Sequence, residues 1–77
     1  MSMRRSGEHA GHVYRCWIEP TGGKYRAWYR GKMNLEVGDA NLVDRLHGGT
    51  DSYDTTDEAL DAAESRVKVV LDEVTAR

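Results

Sequence analysis

The chain has a single cysteine and lacks any long apolar run. Cys16 has no second cysteine to pair with, so no intramolecular disulfide is possible and nothing argues for an oxidising compartment. No stretch approaches the roughly 18 apolar residues that a membrane helix needs, and no hydrophobic segment follows Arg4 and Arg5 as in a secretory signal. These absences predict a cytoplasmic protein, and its 77 residues are enough for one small domain.

Catalytic and metal-binding patterns are also missing. The Gly pairs at 22–23 and 48–49 lack the spacing and the Lys-Ser/Thr of a phosphate-binding loop. His9 and His12 have a spacing seen in metal sites, but no second histidine pair on a rigid element accompanies them, so we interpret the spacing as chance. The acidic residues before and within the C-terminal segment lack the glycine spacing of a calcium loop. We therefore expect a non-enzymatic protein with no cofactor and no metal site.

Charge is divided unevenly between the two parts of the chain. Residues 1–33 hold seven basic and two acidic residues, whereas residues 34–77 hold four basic and eleven acidic ones. Such a division predicts a positive face and a negative face, or alternatively a basic hairpin that lies against an acidic helix. The sequence leaves both interpretations open.

Two segments of alternating polarity predict a β-hairpin. Residues 13–19 and 24–30 are rich in β-forming side chains, and Pro-Thr-Gly-Gly at 20–23 has turn chemistry. We prefer a four-residue loop at 20–23, because a two-residue loop at Gly22-Gly23 places Arg15 opposite Arg30. The preferred loop sets Trp17 against Arg26 and Arg15 against Trp28. Either loop leaves the two faces of the hairpin unchanged, since the shift is even.

Parity assigns each hairpin residue to one of these faces. The predicted core face is small and apolar: Tyr14, Cys16, Ile18, Tyr25, Ala27 and Tyr29. The opposite face, called the outer face below, carries the candidate partner-binding residues: Arg15, Trp17, Lys24, Arg26, Trp28 and Arg30. Interleaved Arg and Trp can bind a protein, stack and neutralise a nucleic acid, or form a ladder that contacts only itself. The sequence leaves these three alternatives open.

The flanking segments are less regular. Residues 1–11 are polar and without periodicity, so we expect a flexible tail, followed by a single α+β domain over 12–77. Residues 41–47 alternate in part and predict a third strand, with a short helix as the alternative. Residues 33–37 are a possible extension of the second strand.

The C-terminal segment predicts a long amphipathic helix. Thr55 and Glu58 form a capping box at its start, and we expect it to end near Thr75. The apolar residues recur at spacings of three and four and form one stripe: Ala59, Leu60, Ala63, Val67, Val70, Leu71 and Val74. The predicted fold class is α+β, a two-layer β-β-(β)-α arrangement in which an antiparallel sheet packs one face against this helix.

Two resemblances rest on the hairpin and the helix start. The run IEPTGGKYRAW, followed by SYDTTDEALDAAESRVKVVLDEV, resembles the N-terminal domain of HicB-like antitoxins over residues 13–75. It is also similar to small bacterial β-β-β-α proteins of unknown function with a fold like that of double-stranded-RNA-binding domains, which share the Tyr53, Asp54, Thr55, Glu58, Ala59 pattern. HicB-like antitoxins continue into a DNA-binding segment, whereas this sequence ends at Arg77. That resemblance therefore implies toxin neutralisation without the DNA-binding part.

These observations favour a small binding module that contacts a protein, or another copy of itself, through the outer face. Nucleic-acid binding by the same face is the alternative, although a pI near 5.8 counts against it. HicB-like toxin neutralisation is a special case of the first interpretation.

Overall fold

The computed structural model describes residues 3–32 and 46–75, which form a four-stranded antiparallel sheet and one helix. The elements are β1 (Arg4–His9), β2 (His12–Thr21), β3 (Lys24–Lys32), β4 (His47–Tyr53) and α1 (Thr56–Thr75). Their order in the sheet is β1-β2-β3-β4, so each strand pairs with its neighbours in sequence. Helix α1 covers one face of this sheet, chiefly over β3, which confirms the predicted α+β two-layer class.

Strand β1 replaces most of the predicted flexible tail. The tail prediction is wrong for residues 4–9, which pair with β2 from Arg4 opposite Trp17 to His9 opposite His12. A two-residue turn joins the strands, with φ of 53° at residue 10 and 80° at residue 11, as a twisted hairpin requires. The residues of β1 are poor β-formers, so the local pattern does not indicate a strand here. Contacts with α1 hold the strand instead.

The loop between β2 and β3 has two residues, and the predicted four-residue loop is wrong. Gly22 and Gly23 have φ of 57° and 82°, the positive values that a type I′ turn needs at both central positions. The twist of this turn matches that of the strands. Arg15 consequently lies opposite Arg30. The assignment of residues to the two faces is confirmed, since the two loops differ by an even shift.

The fourth strand lies later in the chain than the predicted third strand. Residues 41–45, like 33–37, lie outside the described residues, and β4 begins at His47. Its two glycines, Gly48 and Gly49, need an explanation, because glycine usually weakens a strand.

Large aromatic rings from β3 explain why glycine fits in β4. A Cβ on Gly48 would lie 2.7 Å from the Tyr29 hydroxyl, and a Cβ on Gly49 would lie 3.0 Å from Trp28 Cε3. Each ring therefore occupies the space above its cross-strand glycine. The two positions require glycine because of this packing.

Helix α1 starts at the predicted Thr55 cap and packs through the predicted apolar stripe, although the Glu58 carboxylate bonds to the Thr55 hydroxyl and not, as a capping box implies, to the Thr55 amide. The Glu58 amide donates to Thr55 Oγ1 at 3.2 Å, and the Thr55 hydroxyl donates to the Glu58 carboxylate at 3.1 Å. This capping pair fixes the first turn. The buried apolar side chains come from the predicted core face, the helix stripe and Leu46: Tyr14, Cys16, Ile18, Ala27, Tyr29, Leu46, Ala59, Leu60, Ala63, Val67, Leu71 and Val74. Tyr25 and Val70 are partly buried against them.

Candidate functional site

The outer face is organised as rows of residues that lie opposite one another across the strands. One row runs Arg4, Trp17, Trp28 and Gly49 from β1 to β4. The next row runs Ser6, Arg15, Arg30 and His47. The observed register therefore brings two tryptophans together at the centre of the sheet and two arginines together beside them.

Trp28 is held by contacts within the protein. Its Nε1–H donates to the Glu19 carboxylate at 3.0 Å, and its ring packs over Gly49. The Arg26 guanidinium lies 4.3 Å from the centre of the Trp28 ring, which places it for a cation–π interaction. Arg26 Nε also donates to the Thr50 carbonyl at 2.8 Å. Trp28 and Arg26 thus form the internal ladder that the sequence offered as one alternative.

The Thr50 carbonyl lies at an irregular point in the pairing of β3 with β4. The register shifts between Arg26 and Trp28, so the Ala27 amide donates to the Thr50 hydroxyl at 3.1 Å instead of to a strand carbonyl. The displaced Thr50 carbonyl is then free to accept from Arg26. A β-bulge is known to redirect a side chain or a backbone group in this way.

Lys24 also has a partner, because its ammonium lies 3.7 Å from the Asp54 carboxylate in the segment before α1. Both side chains of this ion pair are largely exposed to solvent, so the pair contributes little to stability. It does show that part of the basic charge of the hairpin is balanced by the acidic half of the chain.

Arg15 and Arg30 differ from the other basic residues of the outer face. They lie directly opposite each other on β2 and β3, and both are exposed. Within residues 3–32 and 46–75, no carboxylate lies within 4.0 Å of either guanidinium. Like charges directly across a strand pair destabilise it, by about 0.2–1 kcal/mol. An anion that binds between them would remove this repulsion.

Trp17 supplies an aromatic surface next to this pair. Its side chain is 39% exposed, whereas the neighbouring Trp28 is only partly accessible. Arg15, Trp17 and Arg30 are called the basic patch below. They border a solvent-open depression of about 1110 Å³, to which Arg4, Ser6 and Val13 also contribute. Of the six residues predicted for the site, these three project to solvent without a described partner.

On the inner face of β1, in contrast to the basic patch, the cation Arg5 is paired with carboxylates. Arg5 donates to Asp61 and, at 2.7 Å, to Glu64, and it lies 3.7 Å from Asp57. The Tyr14 hydroxyl donates to the other Glu64 oxygen at 2.5 Å. The charge division therefore produces a positive outer face, while the cation that pairs with the acidic helix comes from β1 and not from the predicted hairpin. Arg5 neutralises the acidic helix, and the basic patch faces away from it.

This network shifts the pKa values of its members. Burial on its own raises the pKa of Glu64, but the hydrogen bonds from Tyr14 and Arg5 lower it by more, so the net pKa lies below its usual value. Burial and the bond to Glu64 raise the pKa of Tyr14 to about 12. The lowered pKa of Glu64 reflects these contacts and keeps the carboxylate ionised, as its ion pair with Arg5 requires.

The other side chains that could carry chemistry, Cys16 and His9, make contacts that serve the fold. Cys16 is buried, and this desolvation raises the pKa of its thiol to about 11, which keeps it protonated. His9 Nε2 lies 2.8 Å from an Asp72 carboxylate oxygen on α1. In the described part of the chain, no three His, Cys, Asp or Glu side chains are arranged to hold a metal ion.

Comparison with known proteins leaves these features to be interpreted from the chain itself. No protein-family model, curated protein or solved structure matches it. Within residues 3–32 and 46–75, no helix combines the length and the apolar character that crossing a bilayer requires.

The sequence did not reveal what β1 adds to the outer face. Arg4, Ser6 and Glu8 lie on that face because their partners on β2 do. The alternation at positions 4, 6 and 8 becomes visible only once residues 4–9 are known to be a strand. The turn before His12 is also hard to predict, because its first residue, Ala10, is not one that favours a positive φ.

Proposed function

We propose that this protein is a small non-enzymatic binding module and that its basic patch receives an acidic segment of a protein partner. The observation that carries the proposal is the cross-strand pair of Arg15 and Arg30, exposed beside Trp17 without a carboxylate partner in the described residues. A folded domain accepts such a repulsive pair at low cost when a bound anion neutralises it.

The chemistry of the patch fits a protein segment with carboxylates and an apolar side chain. Guanidinium groups bind carboxylates through paired hydrogen bonds, and arginine and tryptophan are the residues that contribute most at protein interfaces. An exposed indole beside a cross-strand pair of arginines offers one apolar contact next to two neighbouring anion contacts. A segment that carries acidic residues next to an apolar one would match this pattern.

The same geometry favours a protein over a nucleic acid. A nucleic-acid-binding surface tracks the phosphate backbone with a continuous run of cations. Here Arg26 and Lys24 are engaged by Thr50 and Asp54, so the run is interrupted. The net charge of −2 also opposes non-specific attraction to polyanions.

The proposal includes the partner class that the HicB-like resemblance implies. A toxin protein would be one such partner, and neutralising it would need no catalysis by this chain. We place the protein in the cytoplasm as part of the same proposal, since its single cysteine can form no intramolecular disulfide.

Fluorescence anisotropy tests the proposal with two labelled probes, a peptide of alternating Glu and Leu residues and an oligothymidine of equal charge. We expect the peptide to bind more tightly, and an Arg15→Gln/Arg30→Gln variant to weaken it about tenfold, because two exposed charge pairs of up to about 1 kcal/mol each are lost. Arg66→Gln/Lys68→Gln is the matched control, since it removes the same charge from the helix side, and it should bind nearly as wild type.

Two results would count against the proposal. Tighter binding of the oligonucleotide, lost in the Arg15/Arg30 variant, would assign the patch to nucleic acid instead. Equal weakening by both double variants would show that binding follows net charge and not the patch.

A further inference from the structure

The backbone of β1 has a free edge. In an antiparallel ladder, alternate residues direct both N–H and C=O toward the same neighbouring strand. Met3 accepts a hydrogen bond from the Ile18 amide on β2 at 2.9 Å, which fixes the alternation. The backbone N–H and C=O groups of Arg4, Ser6 and Glu8 therefore point away from the sheet. No described strand pairs with this edge, because β1 is terminal in the sheet order.

We propose that this edge binds a second copy of the same chain, with β1 antiparallel to β1 about a two-fold axis at Ser6. A closed two-fold interface needs a surface that is complementary to itself. Strand β1 meets this requirement because Arg4 lies two residues before Ser6 and Glu8 two residues after it, both on the outer face.

The hydrogen-bond pattern selects this register. Only residues whose backbone groups point outward can pair, so Arg4, Ser6 and Glu8 must meet the same three residues of the other copy. Centring on Ser6 pairs all three, with Arg4 opposite the partner's Glu8 and the reverse. A shift of two residues loses one pair and both charge contacts. The register centred on Ser6 therefore forms the most backbone hydrogen bonds and the most contacts between opposite charges.

The side chains at the edge agree with this arrangement. Neither Arg4 nor Glu8 has an ion-pair partner among residues 3–32 and 46–75. On the inner face, Arg5 comes to lie opposite the partner's Gly7, which has no side chain to disturb the contacts of Arg5 with α1. The dimer joins the two sheets into one and leaves both basic patches on the same outer side.

Analytical ultracentrifugation of the full chain tests the inference. We expect a monomer–dimer equilibrium between about 1 μM and about 1 mM, the range in which so small an interface dissociates. Ser6→Pro removes the central outward N–H without breaking a bond to β2, so dimerisation should weaken at least tenfold, as a proline does at sheet edges. Ser6→Ala keeps that N–H and should dimerise as wild type.

Charge reversal provides a second test that does not depend on a proline. Arg4→Glu and Glu8→Arg each convert the two attractive contacts into repulsive ones, so each variant alone should dimerise roughly tenfold less well. An equimolar mixture of the two restores opposite charges at both contacts and should associate as wild type. Circular dichroism confirms that each variant is folded.

The inference is independent of the proposed ligand of the basic patch. It is overturned if the wild-type chain stays monomeric up to about 1 mM, well above the micromolar range of weak interfaces. It is equally overturned if Ser6→Pro dimerises as wild type while folded, or if the two charge variants fail to associate with each other. Loss of dimerisation on Trp17→Ser, with Ser6→Pro unaffected, would place the contact on the outer face instead.

Discussion

Replacing Arg5 by glutamine should detach β1 from α1 and destabilise the fold. Its guanidinium meets three carboxylates, and their exposure decides what each contact contributes. Asp57 and Asp61 are 77% and 72% exposed, so their ion pairs are of the surface kind, worth a few tenths of a kcal/mol each. Glu64 is only 19% exposed and Arg5 only 28%, so this contact dominates.

The Glu64 contact sets the size of the effect. Without Arg5, the half-buried carboxylate keeps only the Tyr14 hydroxyl as a donor. A charge-assisted hydrogen bond of this kind contributes about 1.5–3 kcal/mol. With the two surface pairs added, Arg5→Gln should cost about 2 kcal/mol, partly offset by water that reaches the site. For a domain of this size, that lowers Tm by roughly 10 °C.

The neighbouring arginine supplies a matched control. Arg4 has the same chemistry one residue earlier, but it lies on the outer face without a described carboxylate. Urea and thermal unfolding followed by circular dichroism should show a change within about 0.5 kcal/mol for Arg4→Gln. A double-mutant cycle between Arg5→Gln and Glu64→Gln should give a coupling above about 0.5 kcal/mol. Equal effects at Arg4 and Arg5, or no coupling, would show that the contact between Arg5 and Glu64 does not stabilise the fold.

Three further predictions concern packing, turn geometry and pH. Gly7→Ala places a Cβ 2.5 Å from the Tyr14 hydroxyl, so urea unfolding should show a loss of about 1–3 kcal/mol, against little change for Ser6→Ala. Gly22→Asn suits the first position of the type I′ turn, where no atom lies within 4 Å of an added Cβ. It should raise the free energy of unfolding, measured in urea, by up to about 1 kcal/mol, and a loss would contradict that turn. Because the folded pKa of Glu64 is lowered, its stabilisation is present above the unfolded pKa of about 4.3 and is lost as pH falls through the folded value. Unfolding free energies from pH 7 downward should therefore fall more steeply for wild type than for Glu64→Gln, and parallel curves would show that Glu64 is not the titrating group.

The fold could be predicted from the sequence where one local rule acts alone. The faces of the hairpin follow from the period of two, which no shift by two residues can change. Helix α1 follows from Thr55 and Glu58 at its start and from one continuous apolar stripe. Both features are local, so they can be predicted without knowing how the rest of the chain folds.

Register and the outer strands depended on contacts between distant segments. The choice between two loop lengths was decided by the positive φ of Gly22 and Gly23 and not by side-chain charge, because the turn must match the strand twist. Strands β1 and β4 contain glycines that become favourable only under rings from other strands. Gly7 lies beneath Tyr14 and Gly48 beneath Tyr29. Such pairs cannot be recognised before the strands are aligned.

The sequence predicted the face on which the six candidate residues lie, but not which of them contact solvent. Parity placed six residues on the outer face, and all six lie there. Which of them contact solvent depends on Glu19, Thr50 and Asp54, whose positions follow from the register and from the β3–β4 irregularity. The sequence therefore could not separate the internal ladder of Arg26 and Trp28 from the basic patch.

The basic patch is tested most directly by following both indole N–H signals in a two-dimensional ¹⁵N–¹H NMR titration with the Glu-Leu peptide. We expect the signals of the Trp17 indole and of the Arg15 and Arg30 amides to shift, while the signal of the Trp28 indole, which is bonded to Glu19, shifts little. Arg66 and Lys68 on α1 serve as internal reference. Shifts confined to α1, or a Trp28 indole that moves while Trp17 stays still, would contradict it.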